Sequence, residues 1–386
     1  MKIDLIDWET LRKDIPACKI FTYLNNAGRG PVSRNASIEG MSYYKEALQY
    51  GNTHWDKWSE KIVKIRENVA KLIGANSCEI AFLPNSSLGM NYIAKMLDNT
   101  GEVLMSSGEF PSCSLPWIQC GYKVNFIDPH KNGKISIDKF ASSITPSIKI
   151  IVISHVQFTT GFRQNLEELG TLCKNSRIHL VVDASQSAGA FPINVHSSNI
   201  DFLVFTGYKW INAGCGIATL FINKKFHDSS NFPVVGWRSA KQPYELINDR
   251  LELVNSASAL ELGHPQFPNI LALGGAVETL QKIGIDNITQ RIHHLTDYLH
   301  EQLNNHGIKI ISPLEQNERS GITSLEMSNA SDIVEELRKN DIIVAKRGEG
   351  IRISLHYYNN QDDIDRFIEI LNTQKTTQKP IQSPSI

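Results

Sequence analysis

The sequence predicts an α/β protein with a mainly parallel sheet, and two observations support that prediction. Short apolar runs alternate with helical patterns, as at 123–127, 136–144 and 150–154, which predict strand, helix and strand. Repeated units of this kind favour parallel strands joined by helices that cover the sheet. The runs at 178–182 and 202–205 are short and largely apolar. Such brief, β-branched runs are typical of strands buried on both faces.

The same two patterns continue along the chain. Helices are predicted at 7–14, 36–49, 55–72, from 86 onward, and at 136–144, 165–173, 288–304, 331–339 and 361–371. Strands are predicted at 79–83, 102–105, 123–127, 150–154, 178–182, 202–205, 308–311, 321–327, 342–344 and 351–354. The helix at 55–72 has Trp58, Ile62 and Val69 on one apolar stripe, which predicts a core face or a subunit interface.

Polar residues follow two neighbouring runs. Asp183 comes after the first, and Thr206, Tyr208 and Lys209 end the second. Open α/β sheets bind ligands beyond the carboxyl ends of their strands, so we expect this acid and this amine in one crevice. A lysine amine forms a Schiff base with an aldehyde cofactor. Pyridoxal phosphate also needs a carboxylate opposite its ring nitrogen. Asp183 and Lys209 fit those two roles, and Thr206 and Tyr208 offer hydroxyls to the phosphate.

The segments DASQSAGAFPINV at 183–195 and DFLVFTGYKW at 201–210 resemble class V of the pyridoxal-phosphate aminotransferase superfamily. That group contains cysteine desulfurases, isopenicillin N epimerase, C–S lyases and kynureninase. Its pattern is D-x-x-Q, a strand, and then S/T-x-H-K, and Tyr208 replaces the usual histidine. The resemblance extends from about residue 23 to 371. It implies fold type I of pyridoxal-phosphate enzymes: a large domain with a mainly parallel seven-stranded sheet and a small α/β C-terminal domain.

The resemblance also divides the chain. Residues 1–20 form an N-terminal helical segment, and 21–265 form the large cofactor-binding domain. Within the latter, 21–75 contribute to the small domain and the substrate site. Residues 266–372 comprise a connecting helix and the small domain. The tail 373–386 is polar and lacks periodicity, so we expect it to be disordered.

Further cofactor contacts are implied by motif positions. Ser86 and Ser87 match the element under the cofactor phosphate; free N–H groups at a helix start bind anions, although simple N-capping is the alternative. Phe110 matches the residue that stacks on the cofactor ring, where desulfurases usually carry histidine; a core phenylalanine is the alternative. In the loop after 150–154, Gln157 is favoured over Phe158 as the partner of the ring hydroxyl.

The remaining site residues also come from the resemblance. Gln186 is the glutamine of D-x-x-Q and is expected at the cofactor. Trp237 is expected to reach the partner's cofactor phosphate across a homodimer, and a solvated loop is the alternative. Asn26 and Ala27 match an element that lines the substrate site. Arg352, in GIRISLHYYN, matches the residue that binds the substrate α-carboxylate, a role that suits the fork of a guanidinium.

Composition excludes several other classes. The net charge of −1 gives no general attraction for nucleic acid. No apolar run reaches the ~20 residues that cross a bilayer, so no membrane span is predicted. Neither C-x-x-C nor H-E-x-x-H occurs, so no metal site is predicted. The six cysteines lack a disulfide framework, which favours a cytoplasmic protein. The absence of G-x-G-x-x-G argues against a nicotinamide dehydrogenase.

The reaction is predicted less sharply than the cofactor. Lys209, with its pKa lowered by burial, would remove the Cα proton of a small amino-acid substrate. Relatives that form a persulfide need a cysteine shortly before the arginine, but IIVAKRGEGI has none and no cysteine follows Cys215. The chain then resembles the epimerase-like and C–S lyase branch of the family, which also tends to carry EFPS, and a C–S or other Cβ lyase is favoured. An epimerase, an aminotransferase, a kynureninase-like hydrolase and a non-catalytic binding protein are the alternatives. Arg347 would bind a second anionic group or be solvated.

Overall fold

A computed structural model describes residues 6–98, 100–228 and 232–376. The strands are β1 (Thr22–Tyr23), β2 (Ile80–Leu83), β3 (Glu102–Ser106), β4 (Val124–Ile127), β5 (Ile148–Ser154), β6 (His179–Asp183), β7 (Phe202–Thr206), β8 (Ala218–Ile222), β9 (Ile322–Glu326), β10 (Ile342–Ile343), β11 (Ala345–Arg347) and β12 (Gly350–Ser354). The α-helices are α1 (Trp8–Arg12), α2 (Arg34–Tyr50), α3 (Trp55–Leu72), α4 (Ser86–Met96), α5 (Pro111–Gln119), α6 (Ile137–Ser143), α7 (Leu166–Ser176), α8 (Phe267–Ile283), α9 (Ile285–Asn305), α10 (Ala330–Lys339) and α11 (Gln361–Thr376).

The central sheet has seven strands in the order β2-β8-β7-β6-β5-β3-β4. The five strands from β7 to β4 are parallel, whereas β8 runs antiparallel to both of its neighbours. The predicted α/β class with a mainly parallel seven-stranded sheet is therefore confirmed. Because parallel strands end at the same edge, the segments that follow β5, β6 and β7 meet at one side of the sheet.

Successive residues of β6 pack on opposite faces of this sheet. Leu180 and Val182 lie in a core shared with α3, α7 and α8. Val181 lies in a second core, shared with α4 and α5. Both cores exclude water from β6, which explains its β-branched, apolar sequence. Trp58 and Val69 of α3 are buried in the first of these cores, so the predicted stripe is a core face.

The small domain contains the antiparallel sheet β11-β12-β9, and its core includes residues of α9, α10 and α11. The N-terminal segment joins it, because β1 pairs in parallel with β10. Arg12 of α1 adds a bidentate ion pair to Asp363, with N–O distances of 2.7 and 2.9 Å. The residues before the large sheet thus contact the domain that ends the chain.

Several predicted elements differ from the structure. The segment 308–311 contributes one isolated bridge, between Ile310 and Leu325, rather than a strand. The hairpin strand β11 was not predicted, and neither was α5. That helix starts with Pro111 at its first position, which proline tolerates well, and it also contains Pro116. A proline inside a helix is unusual, so Pro116 made this helix hard to recognise in the sequence. Part of the tail predicted to be disordered is helical, since α11 extends to Thr376, and 377–386 lie outside the described residues.

Candidate active site

Lys209 lies in a tight turn just after β7. The turn is fixed by backbone hydrogen bonds from Gly207 to Ile217 and from Ala213 back to Gly207. The loop near the N-terminus closes over it, because Gly30 donates its N–H to the Tyr208 carbonyl at 2.8 Å. A Cβ atom on Gly30 would lie 2.3 Å from the Lys209 carbonyl oxygen. Only glycine therefore permits the loop to approach the lysine turn so closely.

Asp183 ends the neighbouring strand β6, in register with Val204 of β7. Its side chain is buried, at 7% exposure. One carboxylate oxygen accepts the backbone N–H of Ser185 at 2.8 Å. The other accepts the thiol of Cys113, with Sγ at 3.4 Å from Oδ2. Two donors thus hold the carboxylate in one orientation at the edge of the sheet.

Charges of opposite sign act on the Lys209 amine. Burial lowers its pKa from the usual value, the Asp183 carboxylate opposes that shift, and the Arg352 guanidinium adds to it. The amine nitrogen is also 5.7 Å from the centre of the Phe110 ring. The structure therefore brings Asp183, Lys209, Phe110 and Arg352 into one crevice, although they come from four separate segments.

Arg352 is buried, at 1% exposure. It donates to the carbonyl of Phe158 at 2.7 Å and makes a long contact of 3.5 Å with the Asn25 side-chain oxygen, while its Nε has no partner. Burial, helped by the charge of Arg347, lowers its pKa to about 9. Within the described residues no acidic side chain forms an ion pair with it. A buried cation without a counter-ion is unfavourable, so this position is suited to an anionic ligand.

Several buried polar atoms near the carboxyl ends of the strands lack hydrogen-bond partners. Thr206 Oγ1 and Gln157 Nε2 are two of them, and His155 Nδ1 and Ser185 Oγ are two others. Nearby, α4 begins at Ser86, and Asn85 caps it by accepting the N–H of Leu88 at 2.9 Å. The hydroxyl of Ser87 is 2.8 Å from that of Ser112. Asn85 is therefore the cap, which leaves the backbone of the predicted Ser86 and Ser87 site available to an anion.

These groups fit pyridoxal phosphate. The helix start and Thr206 suit its phosphate, and the unpartnered amide of Gln157 suits its ring hydroxyl. Burial raises the pKa of Tyr208, so its hydroxyl stays a donor at neutral pH. Asp183 is left to face the ring nitrogen.

Phe110 is not a core residue, because 43% of its surface is exposed. It directly precedes α5 and contacts Phe158 edge-to-face, with ring centres 5.4 Å apart. Since Phe158 packs against Phe110 while the amide of Gln157 is unpartnered, the structure favours Gln157 of the two residues considered for the ring hydroxyl. An exposed ring beside the Lys209 amine has room to stack on a flat cofactor.

The structure does not support direct substrate contacts by Asn26 and Ala27. Asn26 is fully buried, and its side-chain oxygen accepts hydrogen bonds from Asn212 at 3.2 Å and from the Tyr358 hydroxyl at 2.9 Å. Ala27 is also buried and donates its N–H to Ser354 at 2.8 Å. Both residues fasten the loop, and it is Asn25, one residue earlier, that lies beside the arginine.

Gln186 has a bridging role that the motif did not predict. Its oxygen accepts the indole N–H of Trp210 at 2.8 Å, and its nitrogen donates to the Ala27 carbonyl at 3.0 Å. One amide hydrogen is left, so its predicted cofactor contact rests on that donor alone. Trp237 is 38% exposed on a short 3₁₀ turn beside His264, with ring centres 5.7 Å apart. Its role across a homodimer stays a prediction.

Two residues of the site were missed. Glu109 accepts the backbone N–H of Ser154 at 3.0 Å and also the Ser154 hydroxyl. Burial raises the pKa of Glu109 to about 7, and the negative charge of Asp183 contributes. Cys113 lies beside both carboxylates. The sequence motif indicated a role for Phe110 but not for its neighbour Glu109. Cys113 lies within α5, a helix that was not predicted.

The chain is similar to known proteins along most of its length. The profile of the family described as "Aminotransferase class-V" matches residues 22–367. A probable cysteine desulfurase of Pyrococcus abyssi is 27% identical, covering 94% of this chain and 96% of the relative. A kynureninase of Bacillus thuringiensis is 25% identical over 90% of this chain and 87% of its own.

Solved structures share the fold. The apo cysteine desulfurase of Thermococcus onnurineus superposes with a TM-score of 0.87 at 24% identity, covering 96% of this chain and 98% of its own. A cystine C–S lyase in complex with cysteine persulfide gives 0.81 at 20% identity, covering 92% and 98%. Within the described residues, no helix is long and apolar enough to cross a membrane, and no cluster of three or more His, Cys, Asp or Glu residues could hold a metal ion.

Proposed function

Because the chain belongs to the class V aminotransferase family, we propose that it is a pyridoxal-phosphate-dependent enzyme that removes the Cα proton of an amino acid. Members of this family, such as cysteine desulfurases and kynureninases, depend on that cofactor. One observation carries the proposal: the Asp183 carboxylate and the buried guanidinium of Arg352, which has no ion-pair partner among the described residues, both act on the amine of Lys209.

Each residue has a distinct task in this proposal. Bound pyridoxal phosphate supplies an aldehyde and an electron-accepting ring. Asp183 holds a proton on the ring nitrogen, and Lys209 holds the aldehyde. Arg352 binds the substrate α-carboxylate through its fork of N–H groups and so orients the Cα–H bond toward the lysine. Phe110 covers the ring and excludes water from one face of it.

Lys209 is also the proposed base. An amine accepts a proton only in its neutral form, and burial lowers the pKa of Lys209 below its usual value. This shift raises the neutral fraction near neutral pH. A substrate carboxylate at Arg352 would offset the cationic charge that contributes to the shift. Burial, the largest cause of the shift, is therefore what keeps the amine available as a base once the substrate is bound.

We favour cleavage of a C–S bond, or another Cβ bond, without a protein persulfide. Persulfide formation needs a reactive thiolate. Cys113 lies beside Asp183, and burial raises its thiol pKa well above the usual value, so it is not a reactive thiolate. The hairpin β11–β12 leads directly to Arg352 without a cysteine. The cystine C–S lyase with the same fold is consistent with this reaction.

A panel of amino acids tests the reaction. Incubation of the loaded enzyme with cysteine, cystine and other amino acids is expected to release pyruvate, ammonia and a sulfur product in equal amounts. Release of alanine with an aromatic acid would instead favour the kynureninase-like cleavage of the relative noted above. Loss of optical activity alone would indicate an epimerase, and dependence on an added keto acid an aminotransferase. Absence of all four would contradict an enzymatic role.

Arg347 favours substrates that carry a second acidic group. In the hairpin, Ala345 is opposite Arg352 and Arg347 is opposite Gly350, so Arg347 and Arg352 lie on the same face. The exposed charge of Arg347 acts on both Arg352 and Lys209. Arg347→Gln is expected to raise KM about tenfold for acidic amino acids, with kcat nearly unchanged, because one exposed charge contact is lost.

The control for this variant is Lys346→Gln. Lys346 is on the opposite face of the same strand and donates to Ser331 at 2.8 Å. It should leave KM unchanged for acidic and neutral substrates alike. Equal effects of Arg347→Gln on acidic and neutral amino acids would show that this arginine does not bind the acidic side chain of the substrate.

We also propose a homodimer. One face of α2 exposes Ile38, Met41, Tyr44 and Leu48, with Leu48 at 91% exposure. A contiguous apolar stripe of this kind on a surface helix marks an association face. Sedimentation should therefore give twice the chain mass, and Leu48→Arg should shift the protein toward the monomer. A monomeric wild-type protein at micromolar concentration would refute the assembly and the proposed role of Trp237 across it.

A further inference from the structure

A buried network joins Asp183, at the end of β6, to Ser154, at the end of β5. Cys113, fully buried on α5, donates its thiol to Asp183 Oδ2. The thiol sulfur is also 4.0 Å from the hydroxyl of Ser154, at the end of β5. Ser154 in turn donates both its N–H and its hydroxyl to Glu109. A strand, a helix and the loop that precedes the helix therefore converge on one carboxylate.

We propose that Cys113 and Glu109 are positioning residues, which hold Asp183 in the orientation that presents its free lone pairs to the cofactor ring nitrogen. This inference rests on the proposed function, since it concerns the carboxylate that would bind the ring. Neither residue contacts the substrate in this proposal. Both act through Asp183.

The chemistry of Cys113 suits a permanent donor. Burial raises its pKa well above the usual value, and the neighbouring carboxylates raise it further. The thiol therefore stays protonated near neutral pH and can donate to Asp183 Oδ2. The carboxylate is held at Oδ1 by the N–H of Ser185 and at Oδ2 by the thiol. Two fixed donors prevent the carboxylate from rotating away from the ring.

Glu109 supplies the second restraint. Its carboxyl group anchors Ser154 and lies close enough to Cys113 to form a hydrogen bond with the thiol. With a pKa of about 7, it carries a proton for much of the time at neutral pH. A neutral acid avoids placing a second full negative charge beside Asp183. The network thus orients the carboxylate without competing with it for the protonated ring.

The test compares two substitutions at Cys113. Cys113→Ala removes the donor, and we expect the dissociation constant for pyridoxal phosphate to rise about tenfold, as befits the loss of a hydrogen bond to a charged group. The circular dichroism band of the bound cofactor, which reports its orientation, should weaken. Cys113→Ser keeps a donor at this place and should remain within about threefold of the wild type in affinity.

The control is Cys173→Ala, since Cys173 is equally buried, at 1% exposure, but lies in the core on the other face of the sheet. It should leave affinity and the dichroism band unchanged. Glu109→Gln imitates the protonated acid and should bind the cofactor nearly as well as the wild type, whereas Glu109→Ala should bind it several-fold more weakly.

Two outcomes would overturn the inference in different ways. Wild-type affinity and an unchanged band in both Cys113→Ala and Glu109→Ala would refute the positioning role while leaving the proposed function intact. Failure of the wild-type protein itself to bind pyridoxal phosphate would remove the proposed function, and the positioning role with it.

Discussion

Lys209→Ala is expected to abolish covalent attachment of the cofactor and to reduce turnover by about 10⁴-fold, at the upper end of what a general base contributes. The variant lacks the amine that holds the aldehyde and accepts the Cα proton. We expect no other lysine to replace it, because the tight turn after β7 holds Lys209 near Asp183 and Phe110. Loss of the visible absorption band and steady-state rates measure the two effects.

A matched control separates chemistry from folding. Lys123→Ala removes an exposed lysine whose partner is Glu102, at 3.1 Å, and should change neither absorbance nor rate. Lys209→Arg keeps a positive charge but forms no covalent link, so it should resemble Lys209→Ala. Full turnover in Lys209→Ala would refute the assignment of this residue.

Asp183→Asn should have the second largest effect, a loss of about 10²–10³-fold in turnover together with weaker cofactor binding. Asparagine keeps the shape and can still accept from Ser185, but it has no charge to keep the ring nitrogen protonated. The cofactor would then accept electrons from the substrate poorly. Steady-state rates test the loss of turnover, and the cofactor dissociation constant, measured on the same preparation, tests the weaker binding.

Asp201 offers the control for Asp183. It is also buried, at 4% exposure, but it lies at the start of β7, where it accepts from His179 and pairs with Lys225. Asp201→Asn should lower the thermal stability and leave the turnover per folded molecule unchanged, because the site lies at the opposite ends of the strands. Equal losses of turnover in both variants would mean that charge removal acts through folding alone.

Most of the large sheet was predictable because its strands are buried on both faces. Continuous apolar runs such as 202–205 could only be strands or short buried helices, and alternation with amphipathic segments decided between them. The same reasoning failed where burial was partial. The Ile-rich segment 308–311 resembles a strand but pairs only through Ile310. The helix α5 was hidden by Pro111 and Pro116, whose missing N–H groups disguise a helical pattern.

The family assignment came from motifs that are local in sequence, and the family profile confirms it. Some site residues can be placed from their own segment of sequence, whereas others depend on contacts with distant segments. Asp183 and Lys209 each end a strand, so their placement at one edge follows from sheet topology. Asn26 was expected at the substrate, but it is fully buried and Asn25 is the one that contacts Arg352. A loop motif does not reveal which of two adjacent asparagines points toward the site. Glu109 and Cys113 were missed because their partners come from β5 and β6.

The amino-acid sequence alone determined the fold class, the family and the strand-end positions of the carboxylate and the amine, since hydrophobic periodicity and short motifs are properties of contiguous residues. Only the tertiary structure decided which buried polar groups are left without partners, as at Arg352, Thr206 and Gln157. It also decided which groups shift the pKa of Lys209. Both depend on desolvation and on distances between segments that are far apart in the chain, so no single stretch of residues determines either of them.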